Sequence, residues 1–246
     1  MIRKLLYRVL PDTDKTRGKE ILRIEALSDA VFAFSVSLLI MSLEVPGSFE
    51  EFRNIILNFP PFVATVAMVF FFWYLQNRFF RSYGINNGTI IFLNLSLLTI
   101  ILFYAFPLKY LFSFLLSLMF GKNFIPGGHG EGLPVLSLEN FNELIIFFSI
   151  GYSLIWLIFF LLYRQAWQKK SEMQLTKKEE IVLKADIRDS VAQLCIGLLG
   201  LLFSLLHLSM LSGISFLLIP LWLVFHAAIT NRKMKNQRGF DRGQVA

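Results

Sequence analysis

The sequence predicts an all-α integral membrane protein with six transmembrane helices. Three observations carry that expectation: an apolar composition, six apolar stretches of spanning length, and basic residues confined to one side. Of the 246 residues, 55% are hydrophobic and 27 are Phe, and the mean hydropathy is +0.60. Charged residues make up 17%, against about 25% in an ordinary soluble domain. A soluble chain of this length has too little interior to hide so much apolar surface. Disorder is excluded, because disordered chains are poor in apolar residues. A disulfide scaffold is excluded by the single cysteine, Cys195.

A bilayer-spanning helix needs roughly 20 mostly apolar residues. Six segments qualify, near 24–45, 55–80, 88–119, 141–164, 189–207 and 209–230. The first carries Glu25 and Asp29 near its start, so it is not a plain anchor. The third is long enough to tilt or bend, and Pro107 marks the expected bend. Residues 171–188 read as a polar linker helix leading into the fifth span, and Thr176 to Glu179 fits a capping box. The fifth and sixth spans are joined by almost nothing between His207 and Ser212, which predicts a tight hairpin. The chain thus divides into an N-terminal tail (1–22), a transmembrane domain (23–230) and a basic C-terminal tail (231–246). The first tail lacks the apolar core and small-residue site of a cleavable signal peptide. The loop at 126–132 reads as a flexible external turn without the GK[ST] ending of a phosphate loop.

Basic residues orient the chain. In a six-span arrangement, 21 of the 24 Lys and Arg residues fall on one side, leaving only Arg53, Lys109 and Lys122 on the other. The positive-inside rule then places both termini in the cytoplasm of a multi-pass plasma-membrane protein. The net charge of +7 is therefore a topology signal, and nucleic acid is not an expected partner. The opposite side holds Glu44, Glu50, Glu51, Glu131, Glu139 and Glu143. These fit either ordinary solvated loop acids or a weak attraction of cations.

Enzymatic chemistry is not expected. The histidines His129, His207 and His226 are scattered, and HExxH, CxxC and GxSxG are absent. No TVGYG-type filter, voltage-sensing arginine ladder or convincing internal repeat occurs.

Ionisable residues inside a membrane are costly and usually paired or functional. Here they gather at the start of span one, in Arg23-Ile-Glu-Ala-Leu-Ser-Asp29. Trp73, Gln76 and Asn77 lie at a matching depth near the end of span two, and Asn94 near the start of span three. A buried Asp29 needs partners, and Arg23, Ser28, Trp73 and Asn94 can supply them. At about 100° per residue, Phe34 lies some 140° round the helix from Asp29. Phe34, Ser37, Leu38 and Met41 are spaced i, i+3, i+4, i+7 and share one face. From the residues alone, lipid contact or ordinary packing explains that stripe better than function does.

The run from Arg23 through Leu27-Ser28-Asp29 resembles the RxxxFSD signature of the transmembrane protein 175 family of potassium channels. The following Ala-Val-Phe-Ala-Phe-Ser-Val-Ser-Leu-Leu39 is similar to the family's DGVFAIAITLL. Trp73 to Phe80 resembles WxxHHRLF, and Asn94 with Phe106-Pro107 matches the asparagine and FP pair of the third span. The resemblance covers the first three spans. It implies a homotetramer with a central pore lined by the first helix of each subunit, permeant K+ or other monovalent cations, surrounding lipid and no cofactor. By position, Phe34, Leu38 and Met41 become constriction rings and Ser37 a selectivity hydroxyl layer. Arg23, Ser28, Asp29, Trp73 and Asn94 become a structural polar network. The sequence departs from the pattern at Leu27 (family Phe), Phe34 (isoleucine), Ser37 (threonine), and Gln76 and Asn77 (paired histidines). The competing expectations are a secondary transporter, for which inverted repeats and a midplane acid are missing, and a non-conducting scaffold.

Overall fold

Inside a bilayer, backbone N–H and C=O groups must find partners within the protein, so apolar runs of spanning length fold as helices. The computed structural model describes residues 21–41, 46–57, 59–120, 138–219, 221–226 and 228–230, and holds no strand among them. Its helices are α1 (Arg23–Met41), α2 (Phe49–Leu57), α3 (Phe59–Tyr83), α4 (Gly88–Phe120), α5 (Leu138–Gln168), α6 (Lys177–Leu205) and α7 (Ser209–Ser215). Among the described residues, five helices are long and apolar enough to cross a membrane: α1, α3, α4, α5 and α6. The chain is a multispan membrane protein. Residues 1–20 of the first tail, the whole second tail, the loop at 126–132, and Glu44, Lys122, His129 and Glu131 lie outside the described residues.

The helices differ from expectation in three places. The short helix α2 precedes the second span, which therefore begins at Phe59 rather than near 55. It is set off by a local cap: Ser48 Oγ accepts from the Glu51 amide at 3.2 Å, and Glu51 Oε2 accepts from the Gly47 amide at 2.6 Å. Pro60 and Pro61 then fall in the first turn of α3, where a missing N–H breaks no helical bond.

The linker helix and the fifth span are one helix. Residues 169–174 form turns, and α6 starts at Lys177 and runs unbroken to Leu205. The expected capping box forms, with Thr176 Oγ1 accepting from the Glu179 amide at 3.3 Å and Glu179 Oε2 from the Thr176 amide at 2.6 Å.

The sixth apolar segment is helical in pieces, not as one helix. After α7 the chain turns at Phe216 and Leu217, and a shorter apolar stretch follows at Leu221–Thr230. Serines hold the turn that the sequence left as a bare hairpin. Ser212 Oγ donates to the Gly200 carbonyl at 2.6 Å and accepts from Ser204 Oγ at 3.1 Å.

Packing runs from α1, which lies on α3 and α4, through α5 to α6. Small residues allow the close approach that membrane helices rely on. A Cβ on Gly151 of α5 would enter the Tyr104 ring of α4, and one on Gly200 would come within 2.8 Å of Phe216. Two buried tyrosines are matched across helices. Tyr104 Oη donates to the Phe148 carbonyl and Tyr152 Oη to Gln193 Oε1, both at 2.6 Å.

The strongest such link joins α3 to α6. Arg78 Nη2 donates to both carboxylate oxygens of Asp186, at 2.7 and 2.6 Å. The two side chains are only 13% and 4% exposed. Removing one partner of a buried pair strands the other charge, at a cost of roughly 3–5 kcal/mol, whereas replacing both is often tolerated. Arg78→Met alone should therefore lower the melting temperature of the detergent-solubilised protein sharply. Arg78→Met with Asp186→Leu should recover most of the loss, as read by intrinsic fluorescence.

Candidate functional site on the first helix

Three polar side chains meet where α1, α3 and α4 converge. Ser28 Oγ donates to the Ile24 carbonyl of its own helix at 2.7 Å. It accepts from Gln76 Nε2 and Asn94 Nδ2, each at 2.9 Å. Gln76 Nε2 also donates to Asn94 Oδ1 at 3.1 Å. Ser28, Gln76 and Asn94 are all buried. A hydroxyl has one donor and two acceptor sites, and all three of Ser28's are used. Both N–H bonds of the Gln76 amide are likewise engaged.

The expected five-residue network is therefore two separate units with one residue outside both. Ser28 and Asn94 belong to the buried triangle. Trp73 Nε1 donates to Asp29 Oδ1 at 2.7 Å in a second, exposed pair. Arg23 is exposed and, among the described residues, makes no hydrogen bond or ion pair. Asp29 is not the buried acid that the sequence suggested, since its residue is exposed in the chain. The buried acid of α1 is Glu25, at 4% exposure. Its Oε1 accepts from the Leu22 amide at 3.1 Å, and Arg81 Nε lies 3.8 Å from its Oε2. Gln76 is the triangle member that sequence reasoning placed at the matching depth but did not count among the partners of the polar network. Its depth, matching that of Asn94, was the available signal.

The triangle sets the rotation of α1. Phe32, Ser35 and Leu39, which follow Ser28 on its face, are buried against neighbouring helices. The opposite half is uncovered. Phe34 is 53% exposed, Leu38 39% and Met41 77%, and Ser37 is exposed between them. Asp29 was expected to point away from this stripe. It occupies the edge of the same uncovered half, which spans roughly 180° at 100° per residue. Ser37 Oγ donates to the Ala33 carbonyl at 3.0 Å. That is the ordinary bond of a membrane-helix serine, and it leaves the oxygen lone pairs free. No group of three His, Cys, Asp or Glu residues that could hold a metal occurs among the described residues.

The fold and this site define a class: a helical multispan membrane protein whose first helix is locked on one face and open on the other. The family described as endosomal/lysosomal potassium channel TMEM175 matches residues 23–105, the stretch that contains all of these side chains. A protein of Marivirga tractuosa named potassium channel is 33% identical over 226 residues, covering 89% of this chain and 91% of its own. The chain belongs to the TMEM175 family. A solved structure of a variant of the potassium channel MtTMEM175, in complex with a nanobody–MBP fusion, has a TM-score of 0.77 and 31% identity, and covers 90% of this chain and 98% of its own. The lysosomal potassium-selective channel TMEM175 homolog from Chamaesiphon minutus shares the fold at a TM-score of 0.54 and 20% identity, covering 85% and 97%.

Deleting the shared hydroxyl leaves two buried amides short of an acceptor, a loss of about 1–3 kcal/mol. Ser28→Ala should lower the melting temperature by about 2–4 °C for each kcal/mol lost. Trp73→Phe, which breaks the exposed bond to Asp29, should lower it less. The comparison is made by thermal melting of the two variants beside the parent.

Proposed function

We propose that this chain is a passive, potassium-permeable cation channel. In this reading it is a plasma-membrane homotetramer with six spans per subunit and both termini in the cytoplasm. The pieces of the sixth segment, α7 and Leu221–Thr230, make the last crossing together. Four copies of α1 surround the pore. The observation that carries the proposal is the division of α1: Ser28, Phe32 and Leu39 hold one face, while Phe34, Ser37, Leu38 and Met41 form a single uncovered file. The names of the Marivirga relative and of MtTMEM175, both potassium channels, support the choice of ion.

The file suits a pore because it alternates barrier and ligand. An ion entering a ring of apolar side chains loses hydration water and receives no polar ligand in return. Phe34 is the bulkiest member and forms the main constriction, with Leu38 and Met41 as weaker rings beyond it. Ser37, about 4.5 Å along the axis from Phe34, offers four hydroxyl oxygens in the tetramer. Arg23 and Asp29 lie at the inner end of the same helix and Trp73 near the inner end of α3, where the exposed Trp73–Asp29 pair and Arg23 face the neighbouring subunit or the pore mouth.

Planar-bilayer recording tests this reading. Discrete ohmic steps in potassium are expected, whereas saturating flux without steps would indicate a transporter and silence a scaffold. Phe34→Ala should raise basal current. Phe32→Ala removes a side chain that is 2% exposed, and should instead cost roughly 3–5 kcal/mol of stability without opening the pore. An unchanged leak in a tetrameric Phe34→Ala protein would remove this residue as the constriction.

Ser37→Ala leaves the rings in place and removes only the oxygen layer. Its bi-ionic reversal potential should move towards equal permeability of potassium and sodium while basal current stays near that of the parent. An unmoved reversal potential would take Ser37 out of the selectivity account.

A further inference from the structure

The uncovered face of α1 leaves one further feature unexplained. At the basic end of α6, Ile181, Lys184, Ala185 and Arg188 line a cavity of about 180 Å³ that Thr230 closes from the C-terminal side. The four α6 residues are spaced i, i+3, i+4, i+7, so they form one face. The space exceeds that of several waters at about 30 Å³ each.

Two cations reach this cavity and, among the described residues, no carboxylate lines it. Arg188 Nη2 donates to Thr230 Oγ1 at 3.3 Å. Arg188 Nε is buried and has no hydrogen-bond partner among the described residues. A buried guanidinium N–H without an acceptor is costly, and an oxyanion is its natural partner. The nearby acids are committed elsewhere. Asp186 is held by Arg78 at 2.6 Å. Asp189 accepts from Trp222 Nε1 at 2.9 Å and lies 3.7 Å from His226 Nδ1. Glu180 lies 3.8 Å from Lys170.

The surroundings point to a lipid as the source of the oxyanion. Lys170 and Lys184 flank the Trp167 ring, at 4.2 and 5.0 Å from its centroid. A tryptophan between lysines at the end of a span marks the headgroup level of a bilayer. Above this level α6 turns apolar, and Ile181 and Ala185 give the cavity apolar walls suited to a glycerol backbone. We infer that this cavity binds the phosphodiester headgroup of an anionic phospholipid, with Arg188 and Lys184 on the phosphate oxygens and Thr230 holding Arg188 in place. Basic pockets between membrane helices on the cytoplasmic side commonly serve such headgroups.

The test uses the purified full chain in an uncharged detergent. Phosphatidylglycerol should raise the melting temperature by about 5 °C near saturation, and phosphatidylcholine should not. The shift should vanish in Lys184→Gln with Arg188→Gln and persist in Lys177→Gln, which removes a charge from the first turn of the same helix outside the cavity. Should the double variant fail to fold, Lys184→Gln alone, at an exposed position, must weaken the shift. Native mass spectrometry should show phosphatidylglycerol retained by the parent and lost by the variant. Three results would overturn the assignment: an equal response to phosphatidylcholine, a shift that survives loss of both cations, or millimolar inorganic phosphate reproducing the whole effect so that the lipid adds nothing. None of these readouts depends on conduction.

Discussion

A side-chain amide buried in a membrane has no water to fall back on, and Gln76 is buried at 1% exposure. Its two N–H groups must find oxygens inside the protein. They find Ser28 and Asn94, and that requirement fixes how α1 is rotated. Turning α1 by one residue, about 100°, would bring Leu27 or Asp29 to the triangle. Leucine has no acceptor, and aspartate would carry a charge into an amide pocket. Either turn would also lift Phe32 and Leu39 out of the core and press part of the stripe into it. One hydroxyl with three satisfied sites thus decides which apolar side chains α1 shows to its surroundings.

The remaining charges are arranged so that the middle of the bundle stays apolar. Arg78 ties α3 to Asp186 of α6, and Arg81 sits 3.8 Å from Glu25 of α1. Both links leave from the last turns of α3, near the basic end where headgroups and water begin. Helix α3 is therefore the hub that holds the first and fifth spanning helices in register. Further from that end, hydroxyls serve their own helix instead. Ser35, Thr65, Thr99 and Ser117 each donate to the carbonyl four residues back. Such bonds hide the polarity of a serine or threonine from lipid without requiring a partner helix.

Hydropathy and depth matching found the spanning helices and brought Ser28, Asp29, Trp73 and Asn94 to one level, because antiparallel neighbours place polar residues at readable heights. What they could not read was rotation. Glu25 and Asp29 are four residues apart and only about 40° apart round the helix. One is buried and the other exposed, because the edge of a contact face falls between them. Gln76 was legible by depth but was not assigned a partner. Helix α2 escaped notice because nine residues containing two acids and one base raise no hydropathy peak. The break in the sixth segment escaped for the opposite reason. Its residues are mostly apolar, and the Ser212 bond that holds the turn depends on Gly200 of the preceding helix. Local composition carries no record of such a tertiary contact.

The bond from Ser37 to Ala33 bears on what a pore built from α1 can do. Because the hydroxyl hydrogen is used within the helix, the uncovered face presents oxygen lone pairs, the half of a hydroxyl that a cation seeks. It presents few of them: one oxygen per subunit at that level, with Phe34 on one side along the axis and Leu38 on the other. A layer this thin replaces only part of an ion's hydration, unlike a stack of backbone carbonyl rings. In the proposed pore, barrier height would belong mainly to the width of the apolar rings, and ion preference to the oxygen layer between them. In such a pore the two properties sit on different side chains less than one helical turn apart. Both depend on the same rotation of α1, so the buried triangle behind the helix governs them together.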